Sequence, residues 1–210
     1  MSEIVPPEHH SFCQRLLDAC LDEAVSAFQA GLGWCLDERW FYPVIARELA
    51  SAQFEIPEGY TRQARRIATN YPIRSFKNRK PGRPPNVDVI EVFSNHAARR
   101  RVRATGSSAV EVFRTIVEVK WITESNRSDI KAAGSDLKRL IKLNQDKDVF
   151  RSVFIALGPK RDAPDWIERF RCSQSRTRGI LDQDVKSVLP STWLCSVTPD
   201  DRFQGVTVGF

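Results

Sequence analysis

Apolar residues recur at three- and four-residue spacing between residues 10 and 30: Phe12, Leu16, Leu17, Cys20, Leu21, Ala24 and Phe28. This is the period by which an α-helix buries one face, and Gly31 and Gly33 punctuate its end. A second helix is expected over 36–53, with Trp40, Val44 and Leu49 among its apolar positions. Pro43 falls in its first turn, where a missing N–H costs little. Residues 60–70 (YTRQARRIATN) are basic and read as a helix, and 73–76 as a short strand. The stretch KNRKPGRPPN that follows has too much proline and glycine for regular structure.

Strand patterns dominate the middle of the chain. Residues 88–93 (DVIEVF) are β-branched and aromatic behind a proline-rich entry, and 110–122 carry the strongest strand signal of all. An arginine-rich polar excursion, 94–108, separates the two. A helix is expected over 128–143, with Ile130, Ala133, Leu137, Leu140 and Ile141 as its stripe. A core strand follows at 149–157, broken by Gly158 and Pro159. A short helix at 164–171 and strands at 193–197 and 203–208 complete the pattern. An apolar strand on each side of a helix favours an α/β fold, a mixed central sheet flanked by helices. The 210 residues fit a single domain. In it, 1–35 form an N-terminal helical extension, 36–157 a core and 158–210 a C-terminal strand embellishment.

No apolar run approaches the roughly 18 residues that span a bilayer, and the N-terminus lacks the basic and apolar regions of a secretory signal. The five cysteines are scattered without a C-x-x-C pair, as expected of free thiols in a reducing cytoplasm. Net charge is +6, but it is unevenly spread. Between Thr61 and Arg103 stand twelve Lys and Arg against only Asp88 and Glu91, a local net of +10 that leaves −4 for the rest. Such concentration is expected of a phosphate-facing surface, and a solvated basic loop is the plainer alternative. The candidate phosphate contacts are Arg62, Arg65, Arg66, Lys77, Arg79, Lys80, Arg83, Arg99, Arg100 and Arg101, joined by Lys131 and Lys138 of the helix at 128–143.

Alternation along TIVEVKWI puts Glu118 and Lys120 on one face of their strand and Val117, Val119 and Trp121 on the other. An acid and a lysine amid apolar neighbours are either a structural ion pair or a working site. Asp88 lies 30 residues upstream at the start of another strand. Two carboxylates at adjacent strand ends can share a divalent cation with water and phosphate oxygens, an arrangement that suits Mg2+.

Asp88 behind a proline-rich entry, Glu118-Val119-Lys120 in the next strong strand, then a helix and a strand, together resemble the PD-(D/E)xK nuclease superfamily. That superfamily includes restriction endonucleases, archaeal Holliday-junction resolvases and repair nucleases. The resemblance covers roughly 36–157, although Val87 stands where the motif has its proline. It implies a restriction-endonuclease-like core of a helix, three strands, a helix and a strand. It implies Asp88, Glu118 and Lys120 as catalytic residues, with Asp88 and Glu118 as metal ligands. Glu48, in ARELA, resembles the glutamate that some members add from the preceding helix. The implied activity is Mg2+-dependent endonucleolytic cleavage of nucleic acid, with Mn2+ as a substitute ion and DNA as the expected substrate, in repair, recombination, restriction or defence. A homodimer is left open. The alternative is a non-catalytic nucleic-acid-binding or protein-interaction module on the same fold.

Overall fold

The computed structural model describes residues 7–52, 54, 56, 65–72, 86–94, 111–123, 127–144, 149–160, 167 and 194–209. Helix α1 spans Pro7–Gln29 and buries Phe12, Leu16, Leu17, Cys20, Leu21 and Ala24 along one stripe. Gly31 closes it with φ 77°. Its N–H reaches the carbonyl of Phe28 and the N–H of Leu32 reaches that of Ala27, a Schellman pair that only glycine enters without strain.

The expected helix at 36–53 divides in two. A 3-10 turn, Glu38–Phe41, starts behind Asp37, whose carboxylate accepts from the amides of Arg39 and Trp40. Helix α2 then runs Tyr42–Ser51, with Pro43 in its first turn. The indole N–H of Trp40 donates to Glu23 at 3.0 Å and ties the turn back to α1.

Six strands form one mixed sheet: β1 Arg65–Pro72, β2 Asn86–Ser94, β3 Glu111–Trp121, β4 Val149–Pro159, β5 Leu194–Val197 and β6 Phe203–Gly209. Their order across the sheet is β1-β2-β3-β4-β6-β5. The first three pair antiparallel, and β3 pairs parallel with β4 through helix α3, Arg127–Asn144. This is the α/β architecture that the periodicity implied. On one face α1 and α2 pack over Val89, Val117, Val119, Val153 and Ile155. On the other α3 packs Ala133, Leu137, Leu140 and Ile141 over Ile90, Ile116, Phe154 and Val206. Among the described residues no helix is long and apolar enough to cross a membrane.

Two elements differ from expectation. Residues 65–72 are not helical but form the edge strand β1, because Ile67 and Ala68 are each half of a two-sided pattern that the ladder to β2 completes. Arginine and alanine are good helix formers, but propensity amounts to less than about 1 kcal/mol per residue, and pairing along an open sheet edge overrides it. Strand β4 also continues through Gly158 and Pro159, which pair with Gln204 and Phe203. Gly158 permits this because a Cβ there would meet the carbonyl of Ile122 at 2.5 Å. The strand expected at 73–76 and nearly all of the helix at 164–171 lie outside the described residues.

Arg65 has a structural task rather than the expected phosphate contact. Its Nε donates to Glu91 at 2.6 Å, and its remaining nitrogens bond the carbonyls of Leu49, Ala50 and Ala52 at the end of α2. Glu91 is 1% exposed and also accepts from Thr115 on β3. The guanidinium therefore neutralises a buried acid and caps a helix C-terminus together. Replacing Arg65 by Met would leave Glu91 buried without its cation. We expect a loss of about 3–5 kcal/mol in urea unfolding; a loss below about 1 kcal/mol would show that this pair is dispensable.

Candidate functional site

The ladder between β2 and β3 runs from Ser94↔Glu111 to Val89↔Val117. One step further it gives way to a side chain: Oδ2 of Asp88 accepts from the amide of Val119 at 2.9 Å. On the other flank of β2, Asn70 occupies the register position opposite Asp88, between the pairs Thr69↔Val89 and Tyr71↔Val87. Asn70 has φ 49°, in the left-handed region that asparagine tolerates better than most residues. Packing changes face at this level. Val89 lies in the core under α1 and α2, while Val87 and Tyr71 lie in the core under α3. Asp88 thus sits at a kink, where its carboxylate meets the backbone of β3.

Around Asp88 the structure gathers Glu118 and Lys120 from β3, Tyr42 from the first turn of α2, Glu38 from the turn before it, and Asp136 and Arg139 from α3. The hydroxyl of Tyr42 donates to Oδ1 of Asp88 at 2.6 Å. Lys120 bonds Glu38 at 2.5 Å and lies 3.8 Å from Asp136. Arg139 donates to Oε2 of Glu118 at 2.8 Å and pairs with Asp136 at 3.3 Å. The alternation expected of β3 is observed: Glu118 and Lys120 meet partners from α3, and Val117, Val119 and Trp121 pack under α1 and α2.

Four carboxylates thereby face two cations, and the surplus negative charge marks each acid differently. Burial, reinforced by the charge of Asp88, pushes Glu118 up to about 9 despite the attraction of Arg139. Burial also raises Glu38 and Asp136. Burial works against the charge of Lys120, but Glu38, Asp136 and Asp88 outweigh it and raise the ammonium above its ordinary value. Tyr42 is raised by burial and by its bond to Asp88, so it stays a donor.

Glu118 is 2% exposed, and its Oε1 has no hydrogen-bond partner among the described residues. A buried carboxylate oxygen without a partner, within an excess of acids, fits a cation better than it fits an isolated ion pair. Among the described residues no group of three or more His, Cys, Asp or Glu side chains stands at metal-ligand spacing. Any ion here would take two carboxylates, Asp88 and Glu118, and fill its remaining positions with water and substrate oxygens, the habit of Mg2+.

The other expected residues fall elsewhere. Glu48 on α2 is not brought to this cluster: it lies 3.8 Å from Arg47, and its charge is felt by the buried thiol of Cys20 on α1. The acid that this part of the chain contributes is Glu38, ahead of the helix. Lys131 and Lys138 share one flank of α3, whereas Asp136 and Arg139, by the rotation of about 100° per residue, occupy the other. The cluster is met by that second flank. Arg66 is exposed on β1. Arg62, Lys77, Arg79, Lys80, Arg83 and Arg99–Arg101 lie outside the described residues. Asp136 and Arg139 had a faint signal in the sequence, as charged positions bordering the apolar stripe of α3. Tyr42 and Glu38 had none, because only the folded turn brings them under the sheet.

Because Glu118 is raised in the folded chain, its contribution to stability is complete below the ordinary carboxylate range and is lost as pH rises towards about 9. Glu118→Gln keeps the acceptor for Arg139 and removes that dependence. In the presence of chelator, the variant should gain in urea midpoint relative to the native chain between pH 5 and pH 9. A parallel pair of pH profiles would mean that Glu118 is ionised throughout.

No family model matches the chain, and no curated protein or solved structure compared with it matches either.

Proposed function

We propose that this protein is a metal-dependent nuclease of the PD-(D/E)xK type, hydrolysing phosphodiester bonds of nucleic acid, with DNA as its substrate. The observation that carries this reading is the meeting of Asp88, Glu118 and Lys120 in one acid-rich cluster where β2 and β3 part. The element order supports it. Helix α2, strands β1 to β3, helix α3 and strand β4 follow the sequence of the restriction-endonuclease-like core.

Asp88 and Glu118 would hold Mg2+, or Mn2+ in its place. Such an ion would supply Lewis acidity to the scissile phosphate and to an attacking water molecule. Tyr42 and the amide of Val119 fix both oxygens of Asp88, so the carboxylate is oriented before any ion arrives. Lys120 supplies a positive charge two residues along the same face of β3, suited to positioning the attacking water or to stabilising charge on the phosphate. Glu38 keeps that ammonium protonated and aimed at the cluster. The basic segment between residues 61 and 103, less Arg65, supplies cations for the phosphate backbone.

One observation favours a second reading. Arg139 already occupies Oε2 of Glu118, as in a structural ion pair, and on that reading the protein is a nucleic-acid-binding or protein-interaction module without catalysis. Plasmid nicking separates the two. With Mg2+ or Mn2+ the native chain should nick and then linearise supercoiled DNA, with no action in EDTA. Asp88→Asn and Glu118→Gln should each lose at least about 100-fold in rate while melting at or above the native temperature, since the first removes a negative charge from an over-acidic site and the second removes the cost of holding Glu118 protonated above its ordinary range. DNA binding without metal-dependent cleavage by the native chain would favour the module.

A further inference from the structure

Beyond the carboxylate cluster lies a groove of about 780 Å3, which the reading above does not use. It opens where β3 and β4 end, beside Trp121 and Lys160, the side of an α/β sheet where ligands commonly bind. Its volume falls in the usual range for ligand sites. Phe28, Trp34, Trp121 and Phe203 supply aromatic walls. Trp121 stacks on Phe41 at 5.5 Å and leans on Phe203 at 5.9 Å, so the floor is rigid.

Trp34 differs from these. It stands in the 3-10 turn Gly33–Cys35 and is 85% exposed, an unusual position for the largest apolar side chain. Gly33 gives the turn its tight seat, since a Cβ there would meet Phe28 at 2.8 Å. At the mouth, Arg202 lies over the ring of Phe28 at 4.3 Å, and Lys160 stands on the same rim. Among the described residues Lys160 pairs with Asp201 and Arg202 with Asp200, both exposed aspartates. Exposed pairs of this kind are weak enough for a phosphate to displace.

The groove is also close to the chemistry. Trp34 and Glu38 are four positions apart, at most about 14 Å of chain, and Glu38 is bonded to Lys120. At roughly 3.4 Å per nucleotide along a duplex strand, this upper limit spans no more than about four nucleotides. We propose that this groove stacks an unpaired nucleobase of the bound strand on Trp34, so that the preferred substrate is DNA with a single-stranded end or flap within about four nucleotides of the scissile bond. The assignment of a substrate class rests on the nuclease reading; the stacking itself does not.

Labelled duplexes, blunt or carrying a four-nucleotide 5′ or 3′ overhang, are titrated by anisotropy in EDTA, so that binding is measured without cleavage. The native chain should bind one overhang polarity about tenfold more tightly than the blunt duplex, within the range one base–aromatic stack carries. Trp34→Ala should abolish that preference while leaving the slope of log affinity against log salt unchanged, because stacking releases no counterions. Trp34→Phe should retain most of it, and an unchanged melting temperature is expected for so exposed a position. Equal binding of blunt and overhanging duplex by the native chain, or an overhang preference that survives Trp34→Ala, overturns the proposal. If the native chain prefers overhangs through Trp34 yet cleaves nothing with Mg2+ or Mn2+, stacking stands and the nuclease reading falls. If it cleaves but ignores overhangs, the nuclease reading stands and the groove is no base site.

Discussion

A side chain stands in for a strand where the sheet opens. The amide of Val119 would ordinarily be satisfied by the next rung of the β2–β3 ladder; instead it donates to the carboxylate of Asp88. An unmet amide at that depth would be costly, so β3 can part from its neighbour only because an acid is there to receive it. Asn70, bent into the left-handed region opposite Asp88, absorbs the change in packing on the other side. The opening that results is what admits Tyr42 and Glu38 from beneath and Asp136 and Arg139 from above. Burial raises Glu118, and the acid that closes this gap adds its charge to that effect, so the architecture and the electrostatics of the cluster are linked.

Much of this was readable before folding. The shared facing of Glu118 and Lys120 follows from strict alternation in an eleven-residue strand, the most robust pattern the chain offers. The helices were legible for the same reason, since Leu16, Leu17, Cys20 and Leu21 leave little choice of face. Residues 65–72 were not, because the pattern of an edge strand is shared with its neighbour and only half of it is written locally. Arg65 shows the same limit in chemical form. Its charge was visible in the sequence, but nothing local revealed that Glu91, 26 residues on, would take it inward along with three carbonyls of α2. Glu38 and Tyr42 depend on a 3-10 turn whose position is set by Asp37 and by the docking of Trp40 on Glu23. Long-range placement of this sort leaves no periodic trace.

The charge of the molecule is organised by contrast. A strongly basic stretch of sequence surrounds Asp88, while acids outnumber bases among the side chains gathered around it in space. Acids buried together favour any cation that can reach them, and a strongly basic stretch of sequence favours polyanions. Neither population alone specifies chemistry. Their closeness along the sequence is what the proposed pairing of a metal with a phosphodiester rests on.

Helix α2 has only ten residues, a rod of about 15 Å, yet it is fastened to β2 at both ends. Tyr42 holds Asp88 at the start, and the last carbonyls reach Glu91 through Arg65 at the finish. A rod pinned twice to one strand cannot slide or roll on it. Its length is therefore a gauge: one residue more or fewer would turn the helix by about 100° and advance it by about 1.5 Å, releasing one pin if the other held. Substitutions along α2 should be tolerated wherever packing allows, but insertions and deletions should not, and the spacing between Tyr42 and Leu49 should be the least variable distance in this part of the molecule.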